Sequence, residues 1–375
     1  MEHVSEVAKI LEGAIRHDVQ QAVNYGSLLA EKLERGGDKR QATLIRGVLR
    51  KAPERTADGA SLTLAPRFPR DDDTKLPTVD VLQPGLVDDL SLHLSARVRS
   101  GVDDFVRSIE NRDALQRHGI DIFPRLLLHG VPGTGKSTLA RLLASRLGLP
   151  LVTTRSDTLV SSLLGQTSRN IREVFDFASR WPCVLFLDEF DALAKNRADA
   201  REIGELQRVV IALLQNMDAF GDQGVLVAAT NHPQLLDAAV WRRFDHMIET
   251  ELPGVAERVA IFRDTLTFLH PTERELALFA DLTDGLSGAA VRNAALDIAR
   301  GEVLDGSEQL RLGASAQRLA RAVYPEVRAA GSDVALEIKL LRDWAPSVFT
   351  YRALADLYGT TTRQVSNLLK DDVNA

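Results

Sequence analysis

Gly130-Val131-Pro132-Gly133-Thr134-Gly135-Lys136-Ser137 fits the spacing G-x-x-x-x-G-K-[ST] in full, with one extra glycine inside it. These residue types suit the holding of a polyphosphate. Consecutive backbone N–H groups can converge on phosphate oxygens only where β-carbons are few, and glycine supplies that room. A helix opening at Lys136 would aim its positive end at the anion. Lys136 would then bridge the β- and γ-phosphates of a nucleotide, the Ser137 hydroxyl would ligate Mg²⁺, and Thr138 would continue the nucleotide-binding segment. Further on, Val184-Leu185-Phe186-Leu187 runs straight into Asp188-Glu189. A buried strand that ends in two carboxylates calls for an ion, because unpaired buried charge is costly. Asp188 is the second Mg²⁺ ligand, direct or through water. Glu189 is placed to orient and polarise an attacking water, which makes the chain a hydrolase rather than a nucleotide holder. A third apolar run, 225–229, ends in Thr230-Asn231, whose carboxamide would sit between the γ-phosphate and that water.

Such a site needs strands to carry its loops. Short apolar segments at 125–129, 151–154, 183–187, 225–229 and, more weakly, 246–249 alternate with helical patterns. That alternation predicts an α/β fold, a P-loop parallel sheet covered by helices on both faces. Residues 81–253 form this unit, opening with a mainly helical stretch to 123 on which Leu90, Leu94, Val98 and Phe105 keep helical spacing. From 254 the strands stop, predicting a small all-α lid over 254–330 and a further helical segment over 331–375. At the other end, residues 1–50 read as a hairpin of two helices, broken at Gly36-Gly37, for docking a substrate or partner. Residues 51–80, with Pro53, Pro66, Pro69 and Pro77, read as a linker in which Asp71-Asp72-Asp73 is a solvated acidic face.

Composition sets the outer bounds. The chain has 375 residues, 45% hydrophobic and 26% charged, with a net charge of −6. That mix excludes wholesale disorder, and the acidic balance gives no general appetite for nucleic acid. No apolar run approaches the roughly 18 to 20 residues of a membrane helix, and the polar start has no secretory pattern. Cys183 is the lone cysteine. It reads as a small buried residue beside a strand, in keeping with a reducing, cytoplasmic setting.

Taken together, the motifs resemble those of the AAA+ ATPases, and within them the AAA group of protein-remodelling machines. The resemblance covers about residues 85 to 300 and rests on LLLHGVPGTGKSTLA at 126–140, VLFLDEFDALAKNR at 184–197, VAATNHPQLLDAAVWRRFD at 227–245 and GLSGAAVRNAALDIA at 285–299. It implies that Asn231 is the sensor 1 residue. It implies also that Arg242 and Arg243 are arginine fingers reaching a neighbouring subunit's nucleotide, although the family's Arg-Pro-Gly-Arg-Phe-Asp is shortened here to Arg242-Arg243-Phe244-Asp245. Gly288 and Ala289 match the family's Ser-Gly-Ala signature, where small residues let the lid helix approach adenine and ribose; Ala290 stands where an acidic residue is common. Ile120 follows Gly119 at the place of an adenine contact. Leu163 and Leu164 lie where the family carries the pore loop that grips an extended polypeptide. The resemblance further implies a homo-oligomeric ring, usually a hexamer, a protein substrate, and a partner protease for any proteolytic outcome.

The tail adds a second resemblance. In YRALADLYGTTTRQVSNLLK, 351–370, Ala355, Gly359 and Val365 occupy the fifth, ninth and fifteenth positions of a 20-residue frame similar to bacterial helix-turn-helix domains. Its second helix would present Thr361, Thr362, Arg363, Gln364 and Asn367, types able to touch phosphates and base edges. The same frame serves as a plain packing or protein-docking module, and Asp371-Asp372 follows at once. Two functional readings therefore stand: an ATP hydrolase that remodels proteins, and an ATP-regulated DNA-binding or anti-phage component working with a partner effector such as a protease. A nucleotide-gated scaffold without turnover fits less well, since Asp188, Glu189, Asn231 and Arg243 are all present.

Overall fold

The computed structural model describes residues 3–15, 19–49, 69–71, 76–83, 92–159, 164–194, 203–220, 224–330 and 333–370. It divides into two compact units: Met1–Leu90, Arg97–Gly130 and Lys136–Thr250 in the first, and Ser91–Ala96, Val131–Gly135 and Glu251–Ala375 in the second.

The first unit is built on six strands: β1 Val79–Leu82, β2 Arg125–His129, β3 Leu151–Thr154, β4 Val184–Leu187, β5 Val225–Thr230 and β6 His246–Glu249. Their order across the sheet is β1-β3-β4-β5-β2-β6. The five strands expected from the sequence pair parallel, while β1 adds an antiparallel edge against β3. In β4 and β5 every residue is buried, and so are Leu126, Leu127 and Leu128 of β2. That is why these strands read as unbroken apolar runs: helices cover both faces, and each buried Val, Leu or Phe side chain contributes roughly 1.5–3 kcal/mol. The helices Lys136–Leu147, Leu164–Ser179 and Ile203–Phe220 supply the cover, with Phe175 meeting Phe220 edge-on at 5.6 Å.

Because β5 lies between β4 and β2, three strand exits stand side by side. His129 pairs with Thr230, and Leu187 with Ala228. Gly130, Asp188 and Asn231 therefore leave the same edge of the sheet, at the carboxyl ends of adjacent strands, where open α/β sheets bind ligands.

Several expectations change. The N-terminal segment holds three helices, Val4–Ile15, Val19–Arg35 and Lys39–Leu49, rather than two. The stretch read as helical from 81 opens instead with the last two residues of β1, and helix begins only at Ala96–Glu110, followed by Arg112–Arg117. Leu94 precedes that helix, and Leu90 lies outside the described residues. Nor is the acid run wholly a solvated face. Asp71 is only 3% exposed and accepts a 3.0 Å hydrogen bond from Asn170 Nδ2. An isolated bridge between Arg70 and Pro77 and a bond from Arg155 N to the Thr78 carbonyl tie this part of the expected linker to the sheet edge. Asp72 and Asp73 lie outside the described residues.

The second unit is helical. Val255–Leu266, Glu273–Leu282, Gly288–Leu304, Leu312–Val323, Val334–Trp344, Tyr351–Tyr358 and Thr362–Leu368 share one core, running from Phe262 through Phe279, Leu319 and Phe349 to Val365. Thr272 and Glu275 form a capping box at one helix start, worth about 1 kcal/mol. Two carboxylates among its described residues are buried, each with a cation. Glu302 accepts from Arg311 Nε and Ser315 Oγ, both at 2.7 Å, and Glu337 accepts from Arg321 at 2.6 and 2.9 Å. The bonds to the partners offset the desolvation of each acid.

Candidate nucleotide site

In the first unit β2 leads into Gly130, whose φ is +146°. A β-carbon there would stand 2.3 Å from the Thr250 carbonyl oxygen, so only glycine lets the chain turn away from β2 at this point. Lys136 is 7% exposed, and its Nζ donates to the Gly130 carbonyl at 2.8 Å. Burial lowers its pKa from the ordinary lysine range, while the carboxylates of Asp188 and Asp191 work in the opposite direction.

Ser137 Oγ donates to Asp188 Oδ2 at 2.8 Å, joining the first turn of helix to the tip of β4. The other oxygen, Asp188 Oδ1, accepts from the Glu189 N–H at 3.0 Å. Glu189 is exposed and its φ is +50°, in the left-handed region, which costs a non-glycine residue about 1–2 kcal/mol. The surroundings hold it there. Phe190 N donates to Ala229 O and Ala192 N to Glu189 O, both at 2.8 Å, and the fully buried Phe190 ring meets Phe244 edge-on at 5.7 Å. The strand tip is thus turned so that the Glu189 side chain faces solvent beside an Asp188 already occupied by Ser137.

The exit of β5 is fixed in the same way. Thr230 Oγ1 donates to Asp191 Oδ1 at 2.7 Å and accepts from His232 N at 3.0 Å. Asn231 between them is half-buried, and its carboxamide makes no hydrogen bond among the described residues. Sequence reasoning missed Asp191 and Thr230. The signal was available, since Asp191 is the third carboxylate in the run Asp188-Glu189-Phe190-Asp191.

The two expected fingers differ sharply. Arg243 is engaged within its own chain: Nε and Nη2 each reach an Asp218 oxygen at 3.3 Å, and Nη1 donates to Ala239 O at 3.3 Å. Asp218 also stands 3.6 Å from the buried Arg125. Arg242, at the end of the short helix Ala238–Trp241, is exposed; its backbone N–H donates to Val240 O, while its guanidinium has no partner among the described residues. Ile120 is 51% exposed on the turn after Arg112–Arg117, its N–H bonded to Leu115 O at 3.0 Å. Of the pore-loop pair, Leu163 lies outside the described residues; Leu164 opens the helix Leu164–Ser179, and its side chain lies outside them too.

The middle of the phosphate loop belongs to the second unit. Gly133 and Gly135 have φ of +79° and +93°. A β-carbon on Gly133 would meet Ser287 Oγ at 2.6 Å. The Gly133 carbonyl accepts from Ala289 N at 3.0 Å, and Ser287 caps the helix that starts at Gly288. The small residues Gly288 and Ala289 therefore sit directly on the loop. Val131 and Pro132 are exposed, and Thr134 Oγ1 bonds back to Val131 O at 2.9 Å.

The donors beside the loop suit Mg²⁺. Ser137 Oγ and Asp188 Oδ2 are two adjacent hard oxygens, and among the described residues no group of three or more His, Cys, Asp or Glu side chains could hold an ion alone. An ion here would take its remaining ligands from phosphate and water, which is the habit of Mg²⁺. The residues fit it.

In the tail, Ala355 and Val365 are buried and Gly359 has φ +61°. Thr361 and Gln364 bond to each other as a capping box at the start of Thr362–Leu368, while Thr362 and Arg363 are exposed. No helix among the described residues is long and apolar enough to cross a membrane.

Comparison with known proteins agrees with the site. Residues 126–252 match the family model described as the ATPase family associated with various cellular activities, AAA. An uncharacterized AAA family ATPase of Sinorhizobium fredii is 38% identical over 61% of this chain and 68% of its own length. The 26S proteasome subunit RPT4 of Saccharomyces cerevisiae is 31% identical over 67% of this chain and 60% of its own length. The proteasome-activating nucleotidase of Aeropyrum pernix is 34% identical over 58% and 56%. With the phosphate loop, the acidic strand tip and a relative matched over 68% of its length all in agreement, the chain belongs to the AAA family of ATPases.

Proposed function

We propose that this ATPase binds Mg·ATP, hydrolyses it in a homo-oligomeric ring, a hexamer on the family's pattern, and couples hydrolysis to the remodelling of a protein substrate. The observation that carries the reading is the 2.8 Å bond between Ser137 and Asp188 beside an exposed Glu189 held at φ +50°. Ion ligands and a water-activating carboxylate are thereby separated but adjacent. Backbone N–H groups of residues 130–135 cradle the phosphates. Lys136 exchanges its bond to Gly130 O for β- and γ-phosphate oxygens. Ser137 and Asp188 would hold Mg²⁺, which would supply neutralisation of the charge that develops on the transferring phosphate. Glu189 accepts the proton of the attacking water, and Asn231, with its carboxamide uncommitted, orients that water. Arg242 reaches the neighbouring subunit's γ-phosphate. Gly288 and Ala289 bring the lid helix of 254–330 to the loop, with Ile120 on the adenine.

The protein substrate is supported by the relatives named for the proteasome, which this chain matches over little more than half of their length. Residues 163–164 would grip the substrate, residues 1–50 would recruit it or a partner, and a separate protease would carry out any cleavage. The first test is magnesium-dependent binding of a fluorescent ATP analogue. Lys136→Ala is expected to weaken it about 10- to 100-fold, the effect of losing a charge-assisted contact to phosphate. Undiminished affinity would remove the phosphate-loop assignment.

DNA binding by the tail is the second reading, favoured by the helix–glycine–helix geometry of Tyr351–Leu368 and the exposed Arg363. The capping box, which engages Thr361 and Gln364, supports a packing module instead. A short duplex at low salt, where phosphate contacts are strongest, is expected to give no shift with the full chain. A salt-sensitive shift abolished by Arg363→Glu would reverse that choice.

A further inference from the structure

Two hydrogen bonds join the tip of β4 to the exit of β5. Phe190 N donates to Ala229 O at 2.8 Å, and Thr230 Oγ1 donates to Asp191 Oδ1 at 2.7 Å. Glu189 immediately precedes the first bond and Asn231 immediately follows the second. The two residues assigned to the attacking water therefore flank one seam. Phe190 and Thr230 are buried in it, and Asp191 opens the short helix Asp191–Ala194 beside it.

The Thr230 hydroxyl has a second bond. While it gives its proton to Asp191, it accepts from His232 N at 3.0 Å. A threonine oxygen bonded to the amide two residues on closes a turn around the residue between, and here that residue is Asn231. A hydroxyl has one proton, and the carboxylate takes it in the stronger, charge-assisted kind of bond. That settles the orientation of the hydroxyl and leaves a lone pair for the His232 N–H. Thr230 also pairs with His129 of β2, so this exit is in register with the residue before Gly130. The backbone of Asn231 is held on both sides, while its carboxamide stays uncommitted among the described residues.

We propose that Asp191, acting through Thr230, is a positioning residue for Asn231: it fixes the turn that aims the carboxamide at the attacking water and keeps it in register with Glu189. The inference rests on the assignment of Asn231 to that water and names the pair that holds it there. Neither Asp191 nor Thr230 touches the nucleotide in this role, so loss of their bond lowers turnover and spares ATP affinity. The Asp191 carboxylate also acts on the Lys136 ammonium. The uncharged hydroxyl of Thr230 is therefore the cleaner place to cut.

The test measures steady-state turnover and the affinity of a fluorescent ATP analogue, with magnesium, on the full chain carrying Thr230→Val, Thr230→Ser, Asn231→Ala or Thr230→Val with Asn231→Ala. Valine keeps the branched shape and removes the hydroxyl. It is expected to lower kcat about 10- to 100-fold, the worth of a hydrogen bond to a charged group, with analogue affinity within about twofold. Serine restores the hydroxyl and should recover most of that loss. In the Asn231→Ala background Thr230→Val should cost nothing further, because the residue it holds is already gone. General loosening of the site would instead multiply the two losses. Such multiplication, or an undiminished kcat in Thr230→Val, would overturn the inference and leave Asn231 in its role. An unimpaired Asn231→Ala would remove that role, and the inference with it. If Thr230→Val fails to bind the analogue, Asp191→Asn and Asp191→Ala carry the test. Both remove the charge near Lys136, but asparagine keeps an oxygen for the Thr230 proton and should turn ATP over about tenfold faster than alanine. Equal loss in those two would also overturn the inference.

Discussion

Exchanging Glu189 for glutamine should lower ATP turnover by about 10²- to 10⁴-fold and leave ATP affinity close to that of the unmodified chain. The structure separates the two carboxylates of the strand tip cleanly enough for such a split. Asp188 is occupied, one oxygen by Ser137 and the other by the backbone of Glu189. The Glu189 side chain takes no part in those bonds and faces solvent. Glutamine keeps the length and the polar tip but cannot accept the water's proton. It also carries the same β-carbon as glutamate into the φ of +50°, so the backbone there has no new reason to change. Phosphate release at saturating ATP and binding of a fluorescent analogue, measured on the same preparation, give the two numbers. Retained turnover would remove Glu189 from the role of base. Loss of binding together with turnover would move it into the ion-holding set beside Asp188. If the split holds, the variant stalls with ATP bound, and the proteins it retains identify the substrate.

The phosphate loop, the parallel strands and the acidic tip were legible because each is written contiguously. A loop of eight residues carries its own chemistry, and strands buried on both faces read as unbroken apolar runs. What escaped depends on partners distant in sequence. β1 is four residues long, follows Pro77 and has the exposed Asp80 at its second position, so its alternation is too short to stand out. Asp71 looked solvated because its partner, Asn170, lies 99 residues on. The φ of Glu189 is set by Phe190, Ala229 and Phe244, none of which marks it locally. The capping pair Thr361 and Gln364 was different. Its T-x-x-Q spacing was readable, but the same residues also suited base contacts, and only the bonded geometry shows how they are engaged.

Removing the Arg242 guanidinium, as in Arg242→Ala, should reduce turnover about 10³-fold or more in the proposed ring, the usual worth of an arginine supplied to a transferring phosphoryl group. The sequence left Arg242 and Arg243 equivalent; their surroundings do not. Arg243 is clamped by both oxygens of Asp218 and by the Ala239 carbonyl, in a cluster shared with the buried Arg125. To reach another subunit it would have to leave Asp218 facing Arg125 alone. The Arg242 guanidinium has nothing to give up, being exposed and without a partner among the described residues. An exposed side chain of that kind is worth at most about 0.5 kcal/mol to stability, so the variant should fold and assemble normally. The segment is also tied to the nucleotide end of the sheet: Trp241, next in the chain, meets His129 edge-on at 5.8 Å, and His129 immediately precedes Gly130. The decisive measurement mixes two inactive proteins. An Arg242→Ala subunit keeps an intact Lys136, and a Lys136→Ala subunit keeps an intact Arg242. If the chain forms the proposed ring and the guanidinium acts across a subunit boundary, some boundaries in the mixed assembly pair an intact nucleotide site with an intact finger, and turnover returns above the sum of the two parents. If it acts within its own chain, no subunit is complete and the mixture stays at that sum. Full turnover by Arg242→Ala alone would pass the role to Arg243 and make its bond to Asp218 the contact that must break.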